Sequence, residues 1–283
     1  MNPLISVSAE DRLLLLCARV ALEPAQEQTI HHLAGRDLDW DRVVTRAIRH
    51  GLPTLVYHHL QKPDLGVKVP AGAWRMLEEA NRLGILLTTL QQIEGGRLLD
   101  AWRAAGIEAM PLKGLALRES IFPDPALRLC GDLDFLVRPA DVEQAEEILL
   151  HLGYRPDEGY APRDWYRPER IHHLVPYHLP GRRVQVEVHW DLMPPNDGFP
   201  IPVEALWQRA TAGQVAGRPV KFLAPEDLLI HLSLHACYLL RPFRLLGRYL
   251  PVLAGAILGN EQSSEKIECK KQELLLDRWL APG

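Results

Sequence analysis

A run of β-forming residues near the middle of the chain carries two aspartates, and it constrains the fold more than any other segment. The run is Cys130-Gly131-Asp132-Leu133-Asp134-Phe135-Leu136-Val137. Successive side chains of a strand point to opposite faces, so both carboxylates share one face while Leu133 and Phe135 point toward a core. The sequence therefore predicts a half-buried strand whose polar face carries two like charges.

The two aspartates need a positive partner. Neighbouring carboxylates raise each other's proton affinity unless a cation neutralises them. A divalent cation is the usual neutraliser, and Mg²⁺ is commonly held by one or two carboxylates together with substrate phosphates. Asp132 and Asp134 therefore indicate phosphoryl or nucleotidyl chemistry, whereas an isolated pair of this kind indicates only a solvated strand end.

The segments before the acidic strand supply the context. Residues 107–112 are predicted to form a short strand, Lys113-Gly114 a turn, and residues 115–121 a short helix. Gly131 is expected to allow a close backbone approach. This order of strand, glycine turn, helix and acidic strand resembles the polymerase-β-like nucleotidyltransferase superfamily. The resemblance implies that the glycine turn and the helix start receive a triphosphate through backbone N–H groups.

The chain also resembles a narrower bacterial family of uncharacterised nucleotidyltransferases, over roughly residues 40–238. The resemblance rests on short motifs that occur in the same order: His50-Gly51-Leu52-Pro53, Met110 to Leu117, Asp124 to Arg128, Gly131 to Val137, Leu152-Gly153-Tyr154, Val186 to Trp190, and Pro225 to Leu232. It implies an α/β (α+β) fold, with a polymerase-β-like nucleotidyltransferase core around a small mixed sheet and helical additions at both ends.

The family resemblance also implies a catalytic centre. Two-metal nucleotidyl transfer requires three carboxylates, two of which hold both ions. Asp132 and Asp134 take the first two places. Glu187 is chosen as the third because it lies mid-strand on the polar face of residues 184–192 and matches a Glu-x-His-Trp motif; Asp191 is the alternative. The implied cofactor is Mg²⁺, with two ions expected.

Four further residues are predicted to bind nucleotide. Gly114 matches the motif glycine, and Lys113 either contacts the β- or γ-phosphate as a point charge or is a surface turn lysine. Gly131 and Arg128 complete the group, although Arg128 alternatively pairs with the aspartates in the metal-free protein. His189, on the polar face of the third-carboxylate strand, is predicted to contact the acceptor or to act as a base.

Bulk composition narrows the class of protein. The chain has 283 residues, of which 47% are hydrophobic, and a formal net charge of −4. This length allows a sizeable core, and the charge gives no electrostatic footprint for duplex DNA or RNA. The apolar run at residues 13–17 is too short to cross a membrane. The four cysteines lack Cys-x-x-Cys spacing, which favours a reduced, cytoplasmic protein: Cys17, Cys130, Cys237 and Cys269.

Four regions follow from the pattern along the chain: an N-terminal helical region at 1–105, a nucleotidyltransferase core at 106–223, a C-terminal helical segment at 224–260 and a polar tail at 261–283. Within them, residues 73–105 are predicted as one long helix or as two helices joined near Gly95-Gly96. A helix with a capping box is expected to begin at Asp141 and to end at Gly153.

Several polar side chains lie outside the predicted site. Five arginines surround a loop, and they are interpreted as a solvated surface or as nucleotide or acceptor contacts: Arg163, Arg167, Arg170, Arg182 and Arg183. His231 and His235 have half of a zinc-binding spacing but lack an intervening glutamate, so they are interpreted as helix-packing residues.

The leading hypothesis is Mg²⁺-dependent transfer of a nucleoside monophosphate from an NTP to a hydroxyl group on a small molecule, protein or RNA. The alternative is a catalytically weak nucleotide-binding or regulatory module with the same fold. A metal-dependent phosphohydrolase that uses the same acids is a weaker third hypothesis. The sequence indicates no membrane partner for any of them.

Overall fold

The structure is a computed structural model that describes residues 7–62, 69–157, 171–195 and 201–239. Three of the loop arginines, Cys269 and the polar tail therefore lie outside the described residues. The chain divides into two compact units, Met1–Ala224 and Pro225–Gly283. The described part of the second unit is helix α9, Pro225–Leu239, and Leu239 is the last residue that the structure describes. The four-region division stays a prediction.

Four short helices form the N-terminal bundle of the first unit: α1 (Ala9–Cys17), α2 (Pro24–Ala34), α3 (Trp40–Arg49) and α4 (Pro53–Leu60). The Ser8 hydroxyl caps α1 by accepting the N–H of Asp11 at 3.1 Å. Gly51, with φ of +67°, follows the last turn of α3 in the left-handed conformation that commonly ends a helix. Buried apolar side chains from these helices form one core cluster that extends to Leu77.

Helix α5 (Ala71–Ala104) is one continuous helix of 34 residues, so the alternative of two helices is wrong. Two of its glycines allow close packing. A Cβ at Gly84 would lie 2.7 Å from a methyl of Thr54 and 2.8 Å from one of Leu129, and a Cβ at Gly96 would meet the guanidinium of Arg218. Within the described ranges, no helix combines the length and the hydropathy needed to cross a membrane.

The central sheet is small and mixed, which confirms the predicted fold class. Its strands are β1 (Met110–Pro111), β2 (Leu133–Leu136), β3 (Arg155–Pro156), β4 (Tyr177–His178) and β5 (Gln185–His189), in the order β1-β2-β5-β4-β3. Strands β2 and β5 are parallel, and the other neighbours are antiparallel. The strand predicted at 107–112 is thus reduced to two residues.

One face of this sheet is apolar and packs against helices. The rings of Trp102 on α5 and Phe135 on β2 meet edge to face at 5.1 Å. The Trp102 indole also donates to the carbonyl of Ala145 at 3.2 Å. Ala145 belongs to helix α7 (Val142–His151), so α5, α7 and β2 share one core. The opposite face of β2 and β5 is left for polar side chains.

The start of α7 differs from the sequence prediction. The Asp141 side chain makes no capping hydrogen bond, and a 3-10 turn at Pro139–Asp141 precedes the helix. The predicted capping box is therefore wrong, because the chain enters α7 through this turn with Asp141 already in a helical conformation. The end of the helix is as predicted, with Gly153 at φ of +93°.

A helix and a hairpin complete the first unit. Helix α8 (Val203–Arg209) precedes β6 (Thr211–Val215) and β7 (Arg218–Phe222), which pair antiparallel. Their two-residue turn is Ala216-Gly217, and both residues have positive φ, as tight hairpin turns require. Strand β7 contacts β1. Strand β6 was missed, because its sequence lacks apolar alternation.

Candidate active site

The two motif strands place their acids side by side. Asp134 on β2 lies directly opposite Glu187 on the parallel strand β5. Residues in register on adjacent strands point to the same face. Asp134, Glu187 and His189 each offer one ligand atom, and these three atoms all lie within 4.8 Å of one another. The structure thus brings together three of the residues selected from the sequence.

Asp134 is the centre of the cluster and is almost completely buried. Its Oδ1 accepts a hydrogen bond from Lys113 Nζ at 2.6 Å and another from His189 Nε2 at 2.9 Å. Its Oδ2 is buried without a hydrogen-bond partner among the described residues. Burial opposes ionisation of this carboxyl, but the bond from His189 and the charge of Lys113 outweigh it and hold the pKa below its ordinary value.

Lys113 is an internal counter-ion for this acid. Its side chain is only 12% exposed, and Nζ lies 3.7 Å from Glu187 Oε2 as well as 2.6 Å from Asp134 Oδ1. The interpretation as a surface turn lysine is therefore wrong. Burial lowers the pKa of Lys113, but the charges of Asp134 and Glu187 raise it by more.

The backbone of Lys113 is also unusual. Lys113 is the first residue of helix α6 (Lys113–Ser120), and its φ is +45°. A side chain with a Cβ is strained in this left-handed conformation, and such strain concentrates at functional sites. This backbone conformation leads the chain from β1 into α6, and the Lys113 side chain it carries reaches back to the acids.

His189 is fully buried at the end of β5. Besides its bond to Asp134, Nε2 lies 3.5 Å from Glu187 Oε2. Burial lowers the pKa of this imidazole, but the hydrogen bonds to the two carboxylates raise it by more. Burial raises the pKa of Glu187, but the hydrogen bond from His189 to Glu187 helps to hold this pKa below its ordinary value. The predicted role of His189 as acceptor contact or base stays a prediction.

Asp132 lies at the bend just before β2, outside the cluster of three. It is partly buried, and burial together with the charges of Asp134 and Glu187 raises its pKa to about 7. A nearby cation favours the ionised form of such a carboxyl. A cation bound nearby would therefore lower the raised pKa of Asp132 and ionise it.

The predicted nucleotide-binding residues differ in their surroundings. A Cβ at Gly114 would lie 2.9 Å from Cys130 Sγ, so a glycine is needed there. Gly131, by contrast, is exposed, and a Cβ there would meet none of the described atoms within 4 Å, so its predicted role in binding nucleotide stays a prediction. Arg128 donates to the carbonyl of Leu129 at 2.5 Å. Within the described ranges it forms no ion pair with either aspartate, so that alternative is also wrong.

The alternative third carboxylate lies elsewhere. Asp191 follows β5, and its Oδ1 accepts the backbone N–H of Leu192 at 2.6 Å. Burial raises the pKa of Asp191. It is absent from the cluster of ligand atoms that the described residues form, so the geometry favours Glu187 for the third place.

Two supporting residues were missed by the sequence analysis. Arg118 on α6 is completely buried and donates to Gln91 Oε1 at 2.8 Å, and Gln91 Nε2 donates to the carbonyl of Cys130 at 3.0 Å. These bonds fix the backbone that leads into Asp132. Their spacing along the chain follows no motif, so only the burial of a charged residue reveals them.

Comparison with known proteins shows which family the chain belongs to. The sequence model of the family described as "Uncharacterised nucleotidyltransferase" matches residues 36–241. The chain belongs to this family. As a member of the uncharacterised nucleotidyltransferases it is a transferase, and the match spans the sheet, the acid cluster and the whole described length of α9.

Two other comparisons complete the findings for this nucleotidyltransferase. No curated protein matches it. A solved structure described as ANT(2″)-Ia in complex with adenylyl-2″-tobramycin is similar, with 17% sequence identity and a TM-score of 0.39. The similarity covers 65% of this chain and 98% of that chain.

Proposed function

We propose that the protein transfers a nucleoside monophosphate from an NTP to a hydroxyl group of an acceptor, with the help of divalent cations. Mg²⁺, with two ions, is the expected cofactor. One observation carries the proposal: Asp134 and Glu187 lie in register on neighbouring parallel strands, beside the start of helix α6. Membership of a nucleotidyltransferase family supports the same reaction type.

The acid cluster fits a cation. An ionised carboxylate in a buried position is costly unless positive charge or hydrogen bonds compensate it. Asp134 Oδ2 has no such compensation from the described residues, and a partly buried Asp132 stands next to it. Asp132, Asp134 and Glu187 would hold the ions. When bound, the ions would lower the pKa of the attacking hydroxyl and stabilise the charge on the transferred and departing phosphates.

The chain's own residues supply binding and orientation. The first N–H groups of a helix have no partner within the helix, and they attract phosphate oxygens. Lys113 and Gly114 provide such groups at the start of α6. Because Gly114 lacks a side chain, the turn can lie against Cys130 and stay close to the acidic strand.

The reaction has a simple balance. The acceptor oxygen forms a bond to the α-phosphorus, and the bond from this phosphorus to the oxygen that bridges to the β-phosphate breaks. Pyrophosphate leaves, and the hydroxyl proton passes to solvent. Before a cation binds, the positive charge of Lys113 and the hydrogen bond from His189 keep Asp134 ionised, and a bound cation would favour the same charged form.

The test uses NTPs labelled at the α-phosphate, incubated with the protein and a cell extract as a source of acceptors. Label should pass to an acceptor with the wild type and fall by at least three orders of magnitude with Asp132→Ala plus Asp134→Ala, since removal of two ligands abolishes both ion sites. Glu187→Gln should lose transfer, whereas Asp191→Asn should retain it. Transfer that survives the double substitution would exclude the mechanism.

A second function has one observation in its favour. Lys113 pairs with Asp134 and Glu187 and so neutralises part of their charge. A site that binds nucleotide without turnover would also show such an internal counter-ion. Metal-dependent binding of a non-hydrolysable NTP, with no pyrophosphate release for any acceptor, would establish such a nucleotide-binding module. Release of inorganic phosphate or free nucleoside monophosphate would instead establish a phosphohydrolase.

A further inference from the structure

The third ligand atom in the acid cluster is a nitrogen. Of the groups that could hold a cation within the described residues, one cluster of three forms, and it consists of Asp134, Glu187 and His189. Asp132 is not a member of it. The possible metal ligands that lie together are therefore two carboxylates and one imidazole, rather than three carboxylates.

The two separations from His189 Nε2 to the acids are close to the edges of a coordination shell. With metal–ligand bonds of about 2.1 Å, neighbouring ligands lie about 3.0 Å apart at right angles and about 3.4 Å apart in a tetrahedron. His189 Nε2 lies 2.9 Å from Asp134 Oδ1 and 3.5 Å from Glu187 Oε2. For one ion to bind between the three groups, Lys113 would have to move away from Asp134 Oδ1 and Glu187 Oε2.

Nitrogen in the donor set changes the class of metal. Carboxylate and water ligands suit Mg²⁺, Ca²⁺ and Mn²⁺, whereas imidazole favours later first-row ions such as Zn²⁺. Mn²⁺ accepts both kinds of ligand and stands above Mg²⁺ in affinity for a mixed site. We propose that His189 is a direct ligand in the ion site of Glu187, and that this site therefore selects a transition-metal dication over Mg²⁺. This inference rests on the proposed function, and it assigns one of the two ions.

The position of His189 supports this assignment. Its side chain is completely buried, and its Nε2 faces both acids. The neighbouring rings of His172 and His173 lie 5.4 and 5.0 Å away between centroids, yet neither joins the cluster of ligand atoms. On binding, the proton that Nε2 donates to Asp134 would pass to solvent, Nε2 would present its lone pair to the ion, and the neutral imidazole would keep one proton on Nδ1.

The test measures metal binding by the full-length protein without nucleotide. Mn²⁺ is the probe, because electron spin-echo spectroscopy detects a coordinated nitrogen directly. Wild type should show ¹⁴N coupling to Mn²⁺ and bind Mn²⁺ at least tenfold more tightly than Mg²⁺. His189→Gln should lose the coupling and at least tenfold in Mn²⁺ affinity. His178→Gln is the matched control, since His178 is an exposed histidine on the adjacent strand β4, and it should change neither property.

The outcomes separate this inference from the proposed function. Mn²⁺ bound without ¹⁴N coupling, coupling that persists in His189→Gln, or no Mn²⁺ binding at millimolar concentration would each overturn the role of His189 as a ligand. Nucleotidyl transfer by the wild type with any of these results would leave the proposed function intact. Nitrogen coupling without transfer to any acceptor would show the metal centre and refute the transferase proposal. Circular dichroism of each variant shows whether it has folded.

Discussion

Replacing Lys113 with methionine tests whether a buried ammonium holds the acid cluster together. Methionine keeps most of the side-chain length and removes the charge. At 2.6 Å from Asp134 Oδ1, and with an effective dielectric constant of about 20, the gross attraction is roughly 6 kcal/mol. Desolvation of both groups offsets part of it, and the loss of one partner from a buried pair typically costs about 3–5 kcal/mol.

Lys62→Met is a matched control. Lys62 Nζ lies 2.7 Å from Glu27 Oε1, a distance close to that of the Lys113 pair, but both side chains of the Lys62 pair are more than a third exposed. Solvent screens such a pair, so its loss should cost about 1 kcal/mol or less. The two variants differ mainly in burial, and their comparison isolates its effect.

The assay is the free energy of unfolding, measured by denaturant titration without metal and again with Mn²⁺ or Mg²⁺. Lys113→Met should lose about 3–5 kcal/mol without metal. Metal should then restore stability and bind at least tenfold more tightly than to wild type, because the ammonium no longer competes for Asp134 Oδ1. Equal stability of wild type and Lys113→Met in metal-free buffer would refute the reasoning, since the acids would then need no internal cation.

Three further predictions concern the site and the N-terminal bundle. Gly114→Ala should destabilise the protein by about 1–3 kcal/mol in a denaturant titration, because the new Cβ would lie 2.9 Å from Cys130 Sγ. Adding Cys130→Ala should restore most of the lost stability, and no restoration would show that the clash is not the cause. Glu94→Leu should cost about 1–3 kcal/mol in the same assay, because it leaves the buried Tyr154 hydroxyl, which now donates to Glu94 at 3.0 Å, without an acceptor; an unchanged stability would contradict this. Burial lowers the pKa of His59 below that of an unfolded histidine, about 6.5, so the unfolded chain takes up the proton first. The stability that neutral His59 contributes is therefore present above pH 6.5 and lost as the pH falls below it. Between pH 7.5 and pH 5.5 the free energy of unfolding should fall less in His59→Gln than in the wild type, and equal decreases in the two proteins would refute this.

The sequence was most informative where one short pattern fixes both local structure and side-chain direction. Asp134 and Glu187 each alternate with apolar neighbours, so period-two alternation alone places them on polar faces. Helix α9 was predictable because Pro225 marks its start. Long helix α5 remained ambiguous from sequence, since glycine inside a helix signals a break or a close contact equally well.

The remaining features depend on contacts between distant segments. The bond from Lys113 to Asp134 joins residues 21 apart, and the bond from His189 to Asp134 joins residues 55 apart. A single sequence carries no signal for such pairs. Strand β6 was missed for a related reason, because its partner β7 and the turn at Ala216-Gly217 determine it more than its own composition does.

The positive φ of Lys113 and its ion pair with Asp134 explain each other. A non-glycine residue in the left-handed region costs on the order of 1–3 kcal/mol, and glycine would avoid that cost. Glycine, however, has no ammonium to place against Asp134 Oδ1 and Glu187 Oε2. Leaving the buried acids without a positive partner would cost more free energy than the strained backbone does. The charge of Lys113 therefore outweighs the strain at this position. The ligand atoms of Asp134, Glu187 and His189 lie within 4.8 Å of one another, and a cation that bound Asp134 Oδ1 would have to displace Lys113 from it.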